Sequence, residues 1–435
     1  MTELATPLST PLSTPRVVIV GGGFAGLAAA RALAHQPLHV TVIDRQNHHL
    51  FQPLLYQVAT AALSPADIAS PIRSVLRGQK NADVILGEVT GFDLGQRLVQ
   101  STVGDLPYDF LIVAAGARNN YFGHPTWEQY AVGLKDLDEA VEIRRRVLVA
   151  LEAAEREHDP KKQERLLTFV VIGAGPTGVE MAGALQELST YLLAKDFHRV
   201  TPKMVKVVLM EGGPRVLAAF PEKLSEDARK ELVHLGVDVR LDCKVTDIDA
   251  ASVHYTTNGA ALVLESPTVM WTAGVSASPL AALFGLPVDR GGRVQVGEDC
   301  TIAGHPEVFV LGDMALQQQD GHSLPGVAPV AMQHGRYVAK AIAATLHEQK
   351  RAPFRYWDKG SLATIGRSKA VVAAGKLQMS GFIAWCMWLV VHIFYLIGFR
   401  NRVAVMLSWA WSYITFQRGA RLITGHRLEA GAPKK

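Results

Sequence analysis

The sequence predicts an α/β fold with two similar parallel-sheet domains and a helical carboxyl-terminal segment, and three observations predict it. A loop with the spacing Gly-x-Gly-x-x-Gly occurs twice, at residues 21–26 and 173–178. Each loop follows a β-branched or aromatic run and precedes a run of small residues, which is the order strand, turn, helix. Near the carboxyl end, residues 381–399 carry no formal charge and indicate an apolar helix.

The glycines of the two loops have distinct tasks in a Rossmann-like dinucleotide-binding pattern. The first permits a tight turn, the second lets the backbone approach a diphosphate, and the third lets the helix pack on the strand. The diphosphate then lies at the helix N-terminus, where backbone N–H groups are available. The candidate glycines are Gly21, Gly23 and Gly26 in the first loop and Gly173, Gly175 and Gly178 in the second.

An acidic residue ends the strand that follows each glycine loop. Asp44 comes after Val40 to Ile43, and Glu211 comes after Val205 to Met210. Such an acid hydrogen-bonds an adenosine ribose, so the sequence predicts two bound dinucleotides. An acid at 211 repels a 2′-phosphate and favours NADH over NADPH, whereas the nearby Arg215 leaves the strictness of that preference open.

A flavin is the expected partner of the nicotinamide, because two hydride carriers need an acceptor between them. Asp44 suits the adenosine ribose that FAD has and FMN lacks. Asp313 ends the strand that precedes it and is placed to accept hydrogen bonds from ribityl hydroxyls, although a turn aspartate is the simpler interpretation. Ala115 and Gly116 close the apolar run 110–116. No histidine or cysteine lies where a flavin would be attached, so we expect non-covalent FAD.

The cysteines and histidines exclude several other chemistries. The three cysteines, Cys243, Cys300 and Cys386, form no CxxC pair, which argues against a disulfide reductase and favours a reducing compartment. No cluster has metal-ligand spacing, so we expect no metal. His48 and His49 are interpreted as flavin-pocket or loop residues. The mixed charges of residues 142–165 are typical of a solvated helix and do not indicate nucleic-acid binding.

The domain order that follows has the second dinucleotide-binding domain inserted in the first. With 435 residues, the chain is long enough for two to three domains. The predicted parts are a disordered tail over 1–15, the FAD-binding domain over 16–120 and 286–345, the NADH-binding domain with connectors over 121–285, and a membrane-anchoring region over 346–435.

The carboxyl end predicts membrane association. After the apolar segment 381–399, three residues with two arginines lead to a second apolar segment, 403–416. Residues 400–435 hold seven Lys/Arg against one Asp/Glu, while the whole chain is only +4. Basic charge beside four tryptophans suits the anionic surface of a bilayer on its cytoplasmic side.

The depth of that segment is left open. The polar residues Asn401, Ser408, Ser412 and Thr415 fall on one helix face, which favours an interfacial helix over 403–416. For 381–399, the alternatives are a helix that lies flat at the interface, a spanning helix, and a buried hairpin or dimer interface. A homodimer is therefore open.

Residues 16–345 resemble the flavoproteins with two dinucleotide-binding domains, and nearly the whole chain resembles the type II NADH:quinone oxidoreductases. Residues 49–57, His-Leu-Phe-Gln-Pro-Leu-Leu-Tyr-Gln, are similar to that family's segment near the flavin. Residues 173–180 are similar to its NADH fingerprint, whose final glutamate, Glu180, the resemblance puts near the nicotinamide and the quinone headgroup. Residues 328–333, which include the flavin-contact candidate Ala331, resemble its AQxAxQ quinone motif.

One position departs from that motif. Pro329 replaces the first glutamine, so Gln333 is the expected headgroup contact. Lys376 could supply positive charge to a quinone anion, although a surface lysine is the simpler interpretation. Glu180 and Gln333 are the candidate catalytic residues.

The resemblance implies a membrane-associated respiratory flavoenzyme on the cytoplasmic face of the inner membrane, peripheral or monotopic. It would pass a hydride from NADH to FAD and then two electrons to a membrane quinone, without proton pumping. Two alternatives are a flavin reductase with a soluble iron–sulfur acceptor and a membrane-attached NADH-binding regulator. Turnover with a short-chain quinone separates them.

Overall fold

The computed structural model describes residues 14–415 and 419–424, apart from the side chains of Leu192, Ala194 and Lys195. Most of the predicted amino-terminal tail and of the basic carboxyl terminus lies outside these residues. The chain forms two compact units. Among the described residues, unit 1 contains 14–49, 71–117 and 277–356, and unit 2 contains 50–70, 118–276, 357–415 and 419–424. The domain boundaries expected from the sequence stay a prediction.

Unit 1 is built on a six-stranded sheet. Hydrophobic runs form its strands, which are parallel except for the edge strand Thr301–Ile302. The strand order is Thr301–Ile302, His305–Val310, Phe110–Val113, Arg16–Val20, His39–Asp44 and Ala82–Leu86. The first glycine loop therefore leaves a central strand, at the carboxyl edge where parallel sheets bind ligands.

Two helices of unit 1 pack closely on each other. Phe24–Ala32 contacts Ala328–Leu346, and a Cβ atom at Gly335 would lie 2.2 Å from the Ala25 carbonyl oxygen. Only glycine permits this approach. The remaining elements of unit 1 are Ile72–Val75, Val89–Asp93, Leu98–Ser101, Leu106–Pro107, Pro279–Phe284, Val294–Gln295, Gly312–Met314, Ala315–Leu316, Gln318–Gln319 and His322–Ser323.

Unit 2 contains a five-stranded sheet in which every pairing is parallel. Its order is Ala131–Val132, Thr268–Trp271, Thr168–Ile172, Lys206–Met210 and Asp238–Arg240. The second glycine loop again leaves a central strand. The two sheets confirm the predicted α/β class.

Unit 2 also carries two antiparallel sheets and most of the helices. The antiparallel sheets are Lys244–Ile248, Ser252–Thr257 and Ala260–Glu265, and Ser361–Gly366, Lys369–Ala374 and Leu377–Gly381. The helices are Gln52–Leu54, Leu55–Ala59, Pro65–Ile68, Pro125–Gln129, Leu137–Arg156, Pro160–Leu166, Pro176–Asp196, Pro202–Met204, Glu222–Leu235, Phe382–Tyr395 and Phe399–Thr415. The chain passes five times between the units, and four short strands span the first four of these positions: His48–Leu50, Ala69–Pro71, Ala117–Asn119 and Val275–Ala277.

The apolar segment 381–399 does not form one continuous helix. Its helix ends at Tyr395, Leu396 is extended, and Gly398 has a φ of +91°. The next helix begins at Phe399. Across the described ranges 14–415 and 419–424, no helix combines the length and the apolar character needed to cross a membrane. The segment 381–399 is thus divided between one helix and the start of the next.

The helix Phe399–Thr415 has its polar side toward the protein. Asn401 is buried and donates to the Ala69 carbonyl oxygen, and Ser408 and Ser412 are half-buried. The opposite side exposes large apolar groups, with Leu407 65% and Ile414 76% exposed. The polar stripe predicted from the spacing therefore packs against the protein, and the apolar side faces outward.

Candidate active site

The first glycine loop has the geometry of a diphosphate cradle. Gly21 has a φ of +101°, and a Cβ atom there would lie 2.5 Å from the Ala114 carbonyl oxygen. A Cβ atom at Gly26 would lie 1.9 Å from the Gly21 oxygen. At Gly23, no atom of the described residues lies within 4 Å of that position. The first and third glycines are thus required by packing, whereas the second opens the backbone to a ligand.

The second loop repeats this geometry. Gly173 has a φ of +99°, and a Cβ atom there would lie 2.4 Å from the Ala273 Cα atom. A Cβ atom at Gly178 would lie 1.8 Å from the Gly173 oxygen, while Gly175 again faces space free of described atoms within 4 Å. The residues present in both loops therefore fit a dinucleotide.

The two acidic residues close their own loops, which sequence reasoning missed. Asp44 accepts from the Gly22 amide at 2.6 Å and from the Gln46 amide at 2.7 Å. Glu211 accepts from the Ala174 amide at 2.7 Å and from the Gly213 amide at 2.8 Å. In each unit the carboxylate holds the amide that directly follows the first glycine. Adjacent parallel strands bring these partners together, and no local sequence signal marks the pairing.

Arg215 is engaged with its own loop. Its two terminal nitrogens donate to the Phe220 carbonyl oxygen at 3.2 Å and the Ala218 carbonyl oxygen at 2.7 Å. These bonds shape the turn before the helix Glu222–Leu235. They direct the guanidinium to backbone carbonyls of its own turn.

The remaining flavin candidates meet at one edge of the unit 1 sheet. The Ala115 amide donates to Met314 Sδ at 3.3 Å, and Met314 directly follows Asp313. A Cβ atom at Gly312 would lie 3.3 Å from the Ala331 Cβ atom. Ala115, Ala331 and the turn Gly312–Met314 are thus neighbours, and Gly116 continues the same loop with a φ of +68°.

Two buried histidines support these loops. His49 Nδ1 donates to the Gly22 carbonyl oxygen at 3.1 Å, and its Nε2 has no partner among the described residues. His334 Nδ1 accepts from the Gly312 amide at 3.1 Å, and its Nε2 donates to Gln317 Oε1 at 2.8 Å. Burial lowers the pKa of His49 and lowers the pKa of His334 to about 4. Both rings are therefore neutral. The role of His334 was missed.

A cavity of about 120 Å³ lies within unit 2. Its walls combine carboxyl, hydroxyl and indole groups. The contributing segments are 56–62, 180–191, 364–367, 385–389 and 409–413. The last two belong to the helices Phe382–Tyr395 and Phe399–Thr415, whose outer sides expose apolar groups.

Glu180 is the buried acid of this cavity. It lies near the start of the helix Pro176–Asp196, and its Oε1 accepts from the Thr364 amide at 3.3 Å. Burial raises the pKa of Glu180 to about 8, while the Thr364 amide and Trp388 oppose the increase. A carboxyl group in this state retains its proton at neutral pH and can donate it.

Aromatic side chains form the wall beside Glu180. Trp388 stacks on His392 with ring centroids 4.0 Å apart and lies 5.5 Å from the Trp409 ring. Trp409 Nε1 donates to Gln57 Oε1 at 2.7 Å, and Gln57 Nε2 donates to the Tyr56 hydroxyl at 3.0 Å. Sequence reasoning used the tryptophans only as interface markers and missed their place in the cavity.

Comparison with known proteins agrees with this arrangement. Residues 15–335 match the family model of the pyridine nucleotide-disulphide oxidoreductases, and residues 358–418 match that of the NDH2 C-terminal domain. The chain is 45% identical over 442 residues to the type II NADH:quinone oxidoreductase Ndh of Mycobacterium tuberculosis, covering 99% of this chain and 95% of that protein. This chain belongs to the type II NADH:quinone oxidoreductases.

Other relatives of this family are also similar. The type II NADH:quinone oxidoreductase NdhA of M. tuberculosis is 44% identical, covering 95% of this chain and 90% of that protein. The structure of NDH2 from Plasmodium falciparum in complex with NADH has a TM-score of 0.86 at 20% identity and covers 95% of this chain and 100% of that chain. The latter likeness supports the fold.

Two further candidates of the type II pattern lie outside the cavity wall. Gln333 is on the helix Ala328–Leu346 of unit 1, so its contact with a quinone stays a prediction. Lys376 is exposed in the turn between two strands of unit 2. The three cysteines form no disulfide, and the described part of the chain contains no acid, histidine and cysteine cluster suited to a metal ion.

Proposed function

We propose that this chain oxidises NADH and reduces a membrane quinone, using non-covalently bound FAD. The observation that carries the proposal is the cavity of unit 2. The buried carboxyl group of Glu180, whose pKa burial raises to about 8, lies on its wall, and two of its wall segments belong to helices with an apolar outer side. A lipid-soluble acceptor at that outer side would contact the same two helices that form part of the cavity wall.

The first glycine loop, Asp44, the 115–116 turn and the Gly312–Met314 turn would hold the FAD. When bound, the flavin accepts a hydride and releases two electrons to a second substrate. The open backbone at Gly23 admits the diphosphate. His49 and His334 keep the adjacent Gly22 and Gly312 in position through their ring nitrogens.

The second glycine loop would hold NADH. Gly175 exposes the backbone for the diphosphate, and Glu211 lies where the adenosine ribose would bind. A 2′-phosphate would meet this carboxylate. Because Arg215 is directed to the carbonyls of Ala218 and Phe220, no compensation from that side chain is expected.

The quinone headgroup would occupy the cavity beside Glu180. Reduction of a quinone to a quinol takes two electrons and two protons. Glu180, which retains its proton at neutral pH, would supply one proton to a quinol oxygen and take its replacement from water. Gln333 is proposed to hydrogen-bond a quinone carbonyl from the AQxAxQ-like segment.

The outer side of the carboxyl-terminal helices would bind the bilayer surface. We define this apolar surface by its exposed groups Phe382, Ile383, Val390, Phe394, Phe399, Met406, Leu407, Trp411 and Ile414. Basic residues follow in the sequence, which suits the anionic lipid of a cytoplasmic leaflet. The proposed location is the cytoplasmic face of the inner membrane.

An anaerobic spectral titration tests the function. The purified protein should show an oxidised flavin spectrum, lose it on addition of NADH, and regain it on addition of ubiquinone-1. A spectrum that returns only with a soluble iron–sulfur protein would instead support the soluble-acceptor reductase. A protein that is never reduced by NADH would contradict both.

A cavity-filling variant tests the site. Ser412→Phe puts a phenyl ring into the cavity and should slow re-oxidation by ubiquinone-1 at least several-fold, with reduction by NADH retained. Ala410→Phe adds the same ring to the exposed side of the same helix and is the control. Equal quinone rates in the two variants would show that the quinone binds elsewhere.

A further inference from the structure

The indole N–H of Trp388 is an unusual group in the cavity wall. Trp388 is 2% exposed, and its Nε1 has no hydrogen-bond partner among the described residues. A buried donor without an acceptor is costly, and few such groups occur in a folded protein. We therefore expect the Trp388 indole N–H to find an acceptor when the protonation of a neighbouring side chain changes.

Glu180 is the acceptor that the surroundings offer. Both side chains line the same cavity, and the Trp388 N–H is near enough to Glu180 to oppose the increase in the pKa of Glu180. It does not, however, reach the distance and angle of a formed hydrogen bond to that carboxyl group. In the protonated carboxyl, Oε1 already accepts from the Thr364 amide. Loss of the proton leaves a carboxylate with further acceptor sites and a much stronger demand for donors.

The Trp388 ring is held in place from two sides. One face stacks on His392, whose Nδ1 donates to the Trp388 carbonyl oxygen at 2.7 Å. Trp409 packs nearby and is itself anchored by its bond to Gln57. A fixed ring keeps its N–H in one direction, so little reorganisation is needed when the acceptor appears.

We infer that Trp388 is a positioning residue for the proton donor: its indole N–H receives the carboxylate of Glu180 after Glu180 has protonated the reduced quinone. This inference rests on the proposed function of Glu180. In the step, the carboxyl O–H bond breaks and a quinol O–H bond forms. The two electrons and the second proton of the quinol originate in the hydride of NADH, which bound flavin would relay, and water later returns the proton to Glu180.

Other titratable or charged groups share the cavity with Glu180. The titratable or charged side chains that line the same cavity are Tyr56, Glu187, Tyr191, Arg367 and Tyr413. His392 contacts Trp388, and burial lowers its pKa to about 4, so it stays neutral over the relevant range. The test therefore follows Glu180 itself.

The experiment is an infrared titration of the flavin-loaded protein without NADH or quinone. The band of the protonated Glu180 carboxyl is assigned by its loss in Glu180→Gln. In the wild type it should disappear near pH 8. In Trp388→Phe the midpoint should move up by about 1 to 2 pH units, since one hydrogen bond to a charged group is lost.

Trp127→Phe is the matched control. Trp127 is also a buried tryptophan of unit 2, but its Nε1 donates to Asp247 at 2.9 Å. This variant loses the same ring volume and should leave the Glu180 midpoint unchanged. An unchanged midpoint in Trp388→Phe, or an equal shift in Trp127→Phe, overturns the inference.

A measurement on unsubstituted Trp388 guards against misfolding of the variant. The seven tryptophans give seven indole N–H resonances in protein labelled with ¹⁵N-tryptophan. One of them should move through the Glu180 titration and stay constant in Glu180→Gln. If none moves, the inference fails. Because neither experiment uses quinone, a wild type that fails to reduce quinone would instead contradict the proposed function.

Discussion

Asp44 and Glu211 illustrate how much single carboxylates contribute to the site before any ligand binds. Each accepts two backbone amides, and one of these belongs to the glycine loop of the same unit. A charged acceptor strengthens such bonds relative to neutral ones. The acids therefore have two tasks, because they shape the loop and would also contact a ribose.

Replacement of Glu211 tests the second task. Glu211→Ser removes the charge that repels a 2′-phosphate, so the preference for NADH over NADPH should narrow by about 1–3 kcal/mol. The KM for NADH should rise as well, because the Ala174 amide loses its acceptor. The ratio of kcat/KM for the two nucleotides measures the effect. Arg215→Met is the control and should leave the ratio unchanged; a change there would mean that Arg215 reads the phosphate.

The stability of the protein should depend on Glu180 in a pH-specific way. The pKa of Glu180 rises from 4.5 to about 8 on folding because of burial. The unfolded chain then releases this proton at lower pH than the folded protein does, so stability falls as the pH rises from about 4.5 to 8. The slope is at most about 1.4 kcal/mol per pH unit.

Glu180→Gln should remove that slope. Thermal unfolding at pH 5 and at pH 8 should show a smaller decrease of Tm in Glu180→Gln than in the wild type. Glu187→Gln, on the same helix, is the matched comparison for a general charge effect. Equal decreases in the wild type and in Glu180→Gln would contradict a buried proton at Glu180.

At the scale of elements, the helix Phe399–Thr415 shows what the sequence could predict and what it could not. The residue spacing predicted one polar and one apolar side, and the structure has both. Which side faces the protein depends on partners distant in sequence. Trp409 bonds to Gln57, 352 residues away, and Asn401 bonds to Ser70, 331 residues away. The glycine loops were predictable because all their requirements are local, whereas the cavity combines five separate segments.

The outer side of that helix can be tested directly. Leu407→Glu and Ile414→Glu each put a charge on the apolar surface. Each variant should bind anionic liposomes about tenfold more weakly or worse, because burial of a large apolar side chain contributes about 1.5–3 kcal/mol to binding. Co-sedimentation with vesicles measures binding. Val263→Glu, at a 57% exposed site on the strand Ala260–Glu265, is the control. Unchanged binding with a changed oligomeric state would assign the surface to a dimer contact.

At the scale of the whole molecule, the two units share a construction. Each places a glycine loop after a central parallel strand and an acid after the neighbouring strand. The sequence predicted this repetition and hence two nucleotides. It did not predict that the carboxyl-terminal helices complete the cavity of unit 2 with Trp388 and Trp409. Deletion of residues 381–435 would remove that wall together with the proposed membrane-binding surface. Single substitutions on the apolar surface are therefore the better test of membrane binding, because they leave the cavity intact.

The cofactor of the intact protein is a prediction at this scale. Acid precipitation should release a yellow compound that contains adenine, because the sequence has no histidine or cysteine where a flavin would be attached and Asp44 suits an adenosine ribose. Chromatography of the supernatant and its phosphodiesterase digest identifies FAD. Colour that remains with the pellet would indicate a covalent flavin, and FMN in the supernatant would contradict the role of Asp44.

The inward polar side of the helix Phe399–Thr415 also reverses the usual pattern of mutational tolerance. On most surface helices, apolar positions resist change and polar positions drift freely. Here Asn401 is buried and hydrogen-bonded, whereas Leu407 and Ile414 are exposed. Among apolar replacements, those at 407 and 414 should be nearly neutral, while even a conservative exchange at 401 should be selected against. In a library of variants grown on respiration, the polar stripe would be the invariant side.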